Sequence, residues 1–177
     1  MEKSLKSSSL NYGMYLGLIL SAFTIIAYAL NIELLVNFWI MLLLLPLVAI
    51  VFGIISTAKA KSILGGFMSF KQAFSSYFIT VAIGMIISSL VSIVLFGFID
   101  PDAATMLQEI GMEKARAFME SMGAPESEIN KAMAKAAEED AMSISSQLYN
   151  IAKGLIFYAV IGLIVALIMK KKDPDAA

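Results

Sequence analysis

The sequence has neither cysteine nor histidine, and only 15% of its 177 residues are charged. Without cysteine it forms no disulfide, thiolate nucleophile, iron–sulfur cluster or thiolate zinc site. Without histidine it lacks the usual imidazole base, haem ligand and metal ligand. An enzyme needs a nucleophile within reach of a base. Serines are plentiful, as in Ser7-Ser8-Ser9, but no histidine can activate them and no apolar stretch holds an aspartate. The expectation is a protein with no catalytic residues, no cofactor and no metal. What the chain has in excess is apolar side chains, 59% of all residues, where a soluble domain carries roughly 45–50%. A soluble domain of this length cannot hide that much apolar surface, so the composition points to an integral membrane protein.

Four apolar stretches run through the chain: Leu10 to Leu30, Leu34 to Ile55 (with Pro46 near its middle), Tyr77 to Ile99 and Ile151 to Met169. Each is close to the ~20 residues that a helix needs to cross a bilayer, and a helix is the span that satisfies its own backbone in lipid. The predicted fold is therefore an all-α membrane protein with four transmembrane helices. Residues 1–99 hold three spans, 100–150 a helical extracytoplasmic hairpin between spans three and four, and 151–177 the fourth span and a basic tail. Lys3 and Lys6, the first apolar run and Ala27-Tyr28-Ala29 also fit a signal peptide. That run exceeds the usual 7–15 residues of such a segment, so a retained span is expected.

Lysines set the orientation. The amino terminus, the segment between spans two and three, and the tail carry eight lysines against Glu2, Asp173 and Asp175, a net of +5. The opposite side carries five basic residues against eleven acids, a net of −6. Both termini are thus expected in the cytoplasm. On the other side, Asp100-Pro101 reads as a helix start, with Asp as N-cap and Pro in the first turn. Met106, Ile110, Phe118, Met119 and Met122 form an apolar stripe, Gly123 a C-cap, and Ile129, Met133, Ala136 and Ala137 a second stripe running on through 143–146 into span four. Phe118, Met119 and Met122 are the candidate surface for another membrane or periplasmic protein. Six methionines of the hairpin, Met142 among them, read as gap-filling apolar side chains rather than a Cu(I) site, and no acid spacing matches a calcium loop.

Small residues recur every fourth position: Gly13, Gly17 and Ser21; Ala49, Gly53 and Thr57; Thr80, Gly84, Ser88 and Ser92; and, on one face of span four, Gly154, Gly162 and Ala166. Such stripes let membrane helices approach closely. They pack either within one bundle or against a second copy of the chain, and Gly13, Gly17, Ser21, Gly84, Ser88 and Gly162 are the candidates. The spans hold no ionisable residue in their middles, which weakens an ion-coupled transport reading. Asn37, Thr24 and Ser88 are expected to bond neighbouring helices, and Lys153 to snorkel to the interface.

Between spans two and three, residues 59–76 read as a cytoplasmic interfacial segment. Phe67, Phe70 and Phe74 fall on one helical face, before Tyr77 and Phe78, with Lys71 and Gln72 away from it. The alternative is an aromatic belt at the start of a span. The segment lacks the Walker pattern, so no phosphate loop is expected, and nothing suggests nucleic acid as a partner.

The stretch Gly65-Gly66-Phe67-Met68-Ser69-Phe70-Lys71-Gln72-Ala73-Phe74, the first span's Tyr12-Gly13-Met14-Tyr15-Leu16-Gly17 and the close of span three on Phe98-Ile99-Asp100-Pro101-Asp102 together resemble a family of uncharacterised bacterial integral membrane proteins common in Bacteroidota, a domain of unknown function. The resemblance covers nearly the whole chain. It implies four spans in a bacterial inner membrane and brings no activity, substrate or catalytic residue. The expected role is a structural or interaction component, with a transporter or channel subunit, forming its pathway as an oligomer, as the other reading.

Overall fold

A computed structural model describes residues 2–138 and 143–172. Helix α1 (Glu2–Leu30) leads through a 3-10 turn (Ile32–Val36) and a π turn (Ile40–Leu44) into α2 (Leu45–Ile63). Then come α3 (Phe70–Val94), a second π turn (Leu95–Ile99), α4 (Pro101–Ser121), α5 (Glu126–Glu138) and α6 (Ile144–Met169). Four segments are long and apolar enough to cross a membrane: Ser4–Leu30, Ile40–Ile63, Phe70–Ile99 and Ser145–Met169. No strand occurs among the described residues.

The span limits differ from those predicted, and local capping explains the differences. Span two starts at Ile40 and not Leu34, because the Asn37 side chain accepts the backbone N–H groups of Trp39 and Ile40 and so caps a new helix. Asn37 is a cap, not the interhelical bond expected. Pro46 accordingly lies near the helix start rather than its middle. Leu45 N–H bonds the Ile40 carbonyl five residues back, immediately before Pro46, and Asp100 N–H bonds Leu95 O in the same way before Pro101. Both π turns thus sit where the next residue has no N–H to donate. Span four starts earlier than Ile151: Ser143 accepts the N–H of Ser146, a fresh N-cap rather than a continuation of α5. Glu139, Asp140, Met142, Asp173 and Asp175, counted above, lie outside the described residues.

The predicted interfacial helix is absent. Leu64-Gly65-Gly66 turns the chain, with Gly65 at φ 75° and Gly66 at φ 92°, where only glycine is unstrained. A reciprocal capping box between Ser69 and Gln72 then starts α3 at Phe70. Phe67 therefore precedes the helix. Phe70, Phe74 and Phe78 stack along α3, with ring centroids 6.4 and 5.6 Å apart, so the aromatic residues open span three.

Helix α3 packs along α1, α2 and α6, and α2 also meets α1 and α6. The core has three levels. Leu5, Ala60, Met68, Ala73 and Ala166 lie at one end; Leu16, Ala49, Tyr77, Val81, Tyr158 and Val165 in the middle; and Leu95, Phe96, Ala103 and Leu107 at the other end. At the first end Met68 and Lys171 exchange backbone hydrogen bonds of 2.8 and 2.9 Å. That pair brings the tail of α6 to the turn between α2 and α3, so the lysine-bearing segments gather at one end and the hairpin occupies the other.

Candidate functional site

The glycine stripes face inward, onto neighbours in the same chain. A Cβ on Gly13 would lie 2.8 Å from Ile83 Cβ, one on Gly17 2.7 Å from Ile87 Cβ, and one on Gly84 2.5 Å from Leu16 Cδ2. Helices α1 and α3 therefore interlock through each other's glycines. Ser21 is buried on the same helix, and its hydroxyl meets no hydrogen-bond partner among the described residues. The stripe on α1 is thus filled from within the chain, which removes it as a candidate surface for a second copy. Gly17→Leu is expected to lower the thermal unfolding temperature in detergent and to leave the yield of cross-linked dimer unchanged.

Tyr77, which nothing in the sequence marks as a site, fills the centre. It is fully buried. A Cβ on Gly53 of α2 would come within 2.5 Å of its ring, and one on Gly162 of α6 within 2.7 Å. Two small-residue stripes thus form the walls of one aromatic slot.

Beside it lies a hydroxyl cluster joining three helices: Ser9 of α1, Ser56 of α2, and Ser76 and Thr80 of α3, all buried. Ser9 Oγ donates to Leu5 O and lies 2.9 Å from Ser76 Oγ. Thr80 Oγ1 lies 2.7 Å from Ser56 Oγ, 3.0 Å from Ser76 O and 3.1 Å from Ser9 O. A consistent proton assignment has Thr80 donating to Ser56, Ser56 to Ser76, Ser76 to Ser9 and Ser9 to the Leu5 carbonyl, so every hydroxyl is satisfied. A saturated network of this kind holds helices together. Its weak sequence signal was small polar residues at helical spacing on three separate spans.

At the acidic end, α4 lies back on the bundle. Tyr28 Oη donates to Asp100 Oδ2 at 2.7 Å while Asp100 Oδ1 accepts the N–H of Ala103. These bonds, Tyr28's foremost, hold the Asp100 carboxyl below the usual carboxylate range. Lys114 Nζ is 3.2 Å from Glu33, and Phe118 stacks on Phe38 at 5.1 Å between centroids. Phe118, expected on a partner surface, is thus half covered by its own chain; Met119 is half-buried and Met122 exposed. Helix α5 returns along α4, with Gln108 Nε2 donating to Ala136 O at 3.0 Å. Lys153 lies on α6 with its ammonium 4.4 Å from the Tyr149 ring centroid.

Beneath α4 is a cavity of about 410 Å³. Its walls come from α1 (Leu20, Thr24), α2 and its π turn (Met41, Ala49), α3 (Ser88, Ser89, Ser92) and α6 (Tyr158), and Leu107 of α4 contributes the roof. Ser88, a packing candidate from sequence, lines this cavity.

These features define an all-α, four-span membrane protein with a helical hairpin folded onto one end. The family model described as "Protein of unknown function (DUF4199)" matches residues 11–171, and the chain belongs to that family. No curated protein and no solved structure matches it.

Proposed function

We propose that this is a bacterial inner-membrane protein, with both termini in the cytoplasm, that acts without catalysis as an interaction component and presents its acidic hairpin outside. The observation that supports this best is the way α4 is held. A hydrogen bond from Tyr28, an ion pair with Glu33 and an aromatic stack on Phe38 fix it to three points of the bundle. Held there, Asp102, Glu109, Glu113 and Glu120 stand exposed on α4, and Glu126 and Glu128 on α5. A surface of that charge fits a basic patch on a partner membrane or periplasmic protein, and is repelled by anionic lipid.

Reporter fusions after Ala60 and Ala124 test the orientation. The first is expected to report inside and the second outside, because lysines stay on the cytoplasmic side; the reverse pattern overturns it. Photocross-linking from Glu113 in intact membranes tests the interaction. An adduct that disappears when Glu109 and Glu120 are changed to Lys supports it, and labelling no stronger than from lipid-facing Leu163 overturns it. The transporter reading draws on Ser88 and Ser92 along α3. Tyr77, filling the middle of the bundle, argues against a pathway within one chain, and flux through liposomes containing the purified protein would restore that reading.

A further inference from the structure

The cavity under α4 is unlike the rest of the interior. The hydroxyl cluster at the other end is saturated by its own members. Ser88, Ser89 and Ser92, by contrast, all line the cavity from one side of α3, and their hydroxyls make no hydrogen bond among the described residues. Every polar group on the lining is neutral: Thr24, the three serines, Gln108, Gln147 and Tyr158. The remainder of the wall is hydrocarbon and aromatic, including Leu20, Leu45 and Phe96. Both π turns border the space, through Met41 and Phe96, and π turns often mark functional sites because they widen a helix locally. The volume is in the roughly 300–1,000 Å³ range of small-molecule sites.

We propose that this cavity binds an uncharged long-chain amphiphile of the bilayer, its hydroxyl or carbonyl head against Ser88, Ser89 and Ser92 and its hydrocarbon along Leu20, Leu45 and Ala49. The chemistry selects the head. A carboxylate, phosphate or ammonium placed here would be buried without a counter-charge, which is strongly unfavourable. The described residues at this end carry nine acids against five basic residues, and that excess opposes an anion further. A pure hydrocarbon would leave the serine hydroxyls unanswered. A neutral head gives them partners, and the apolar wall takes the chain. Helix α4, tied down at Asp100 and Lys114, forms the roof that separates the head from water.

The test uses the full chain in nanodiscs of neutral phosphatidylcholine, with a long-chain alcohol carrying a diazirine as the probe. Saturable labelling is expected between Met85 and Phe96 and between Ala104 and Gln108. It should be displaced by the unlabelled alcohol, and not by the carboxylate or quaternary ammonium of equal chain length. Replacing Ser88 and Ser92 by Ala removes two hydrogen bonds and should weaken displacement by the alcohol about tenfold. Ala104→Phe fills the space and should abolish labelling. The serine variant, which changes little volume, decides the matter if the filled one does not fold. Labelling that does not saturate, that falls on lipid-facing Leu163 and Ile168, or that charged analogues displace equally well overturns the proposal.

Discussion

Tyr77→Ala should lower the free energy of unfolding by about 3–5 kcal/mol, the usual cost of removing a large aromatic side chain from a packed interior. The ring occupies a slot whose two walls, Gly53 and Gly162, lack side chains, and both would clash with it if they had a Cβ. Removing the ring empties the slot in which α2, α3 and α6 meet at the level of Gly53 and Gly162. The slot also makes a coupled prediction. Gly53→Leu alone overpacks the site, at about 1–3 kcal/mol. In the double variant the new leucine enters the space left by Tyr77, so the combined loss should be clearly smaller than the sum of the two. Titrating the folded protein from mild detergent into denaturing detergent measures all three variants. Strict additivity would mean that the two side chains do not compete for one volume.

Thr80→Val is the second. The change keeps the shape and deletes the hydroxyl that reaches all three partners of the cluster. Ser56 loses the hydroxyl that donates to it across the α2–α3 contact. Interhelical hydrogen bonds in membranes are worth roughly 0.6–2 kcal/mol each, and a buried group left unpaired costs about 1–3 kcal/mol. The same titration should therefore show a loss of about 1–2 kcal/mol. Ser88→Ala serves as the control, because its hydroxyl joins no such network, and should change stability little. Equal losses for the two would place the cluster's worth in general polarity and not in its bonds.

The apolar runs revealed four spans because in lipid each must be a long helix, and Lys59, Lys61, Lys71 and Lys171 bracketed them from one side. Their ends were harder to read. Hydropathy does not distinguish Leu34 from Ile40; the Asn37 side chain does, through two short bonds to the backbone. Ser143 and Ser69 act likewise. Each is a local cap whose effect depends on backbone angles that composition does not encode. The glycine stripes were legible as close-packing surfaces, but a stripe has the same spacing whichever helix it meets. Ile83 and Ile87 settle the partner of the α1 stripe, and they lie some seventy residues away in sequence. For the same reason Tyr77 read only as one more aromatic near a span end, and the cavity serines as further packing residues.

The exchange of hydrogen bonds between Met68 and Lys171 also fixes a depth. An α-helix advances about 1.5 Å per residue, so sliding α6 by one position along α3 would break both bonds at once. The fourth span is therefore pinned, like a ruler against a stop, relative to the turn that precedes the third. In a bilayer thicker or thinner than the bundle, α6 cannot answer the mismatch by shifting on its own. The four spans must tilt together, or the lipid must thin or thicken around them.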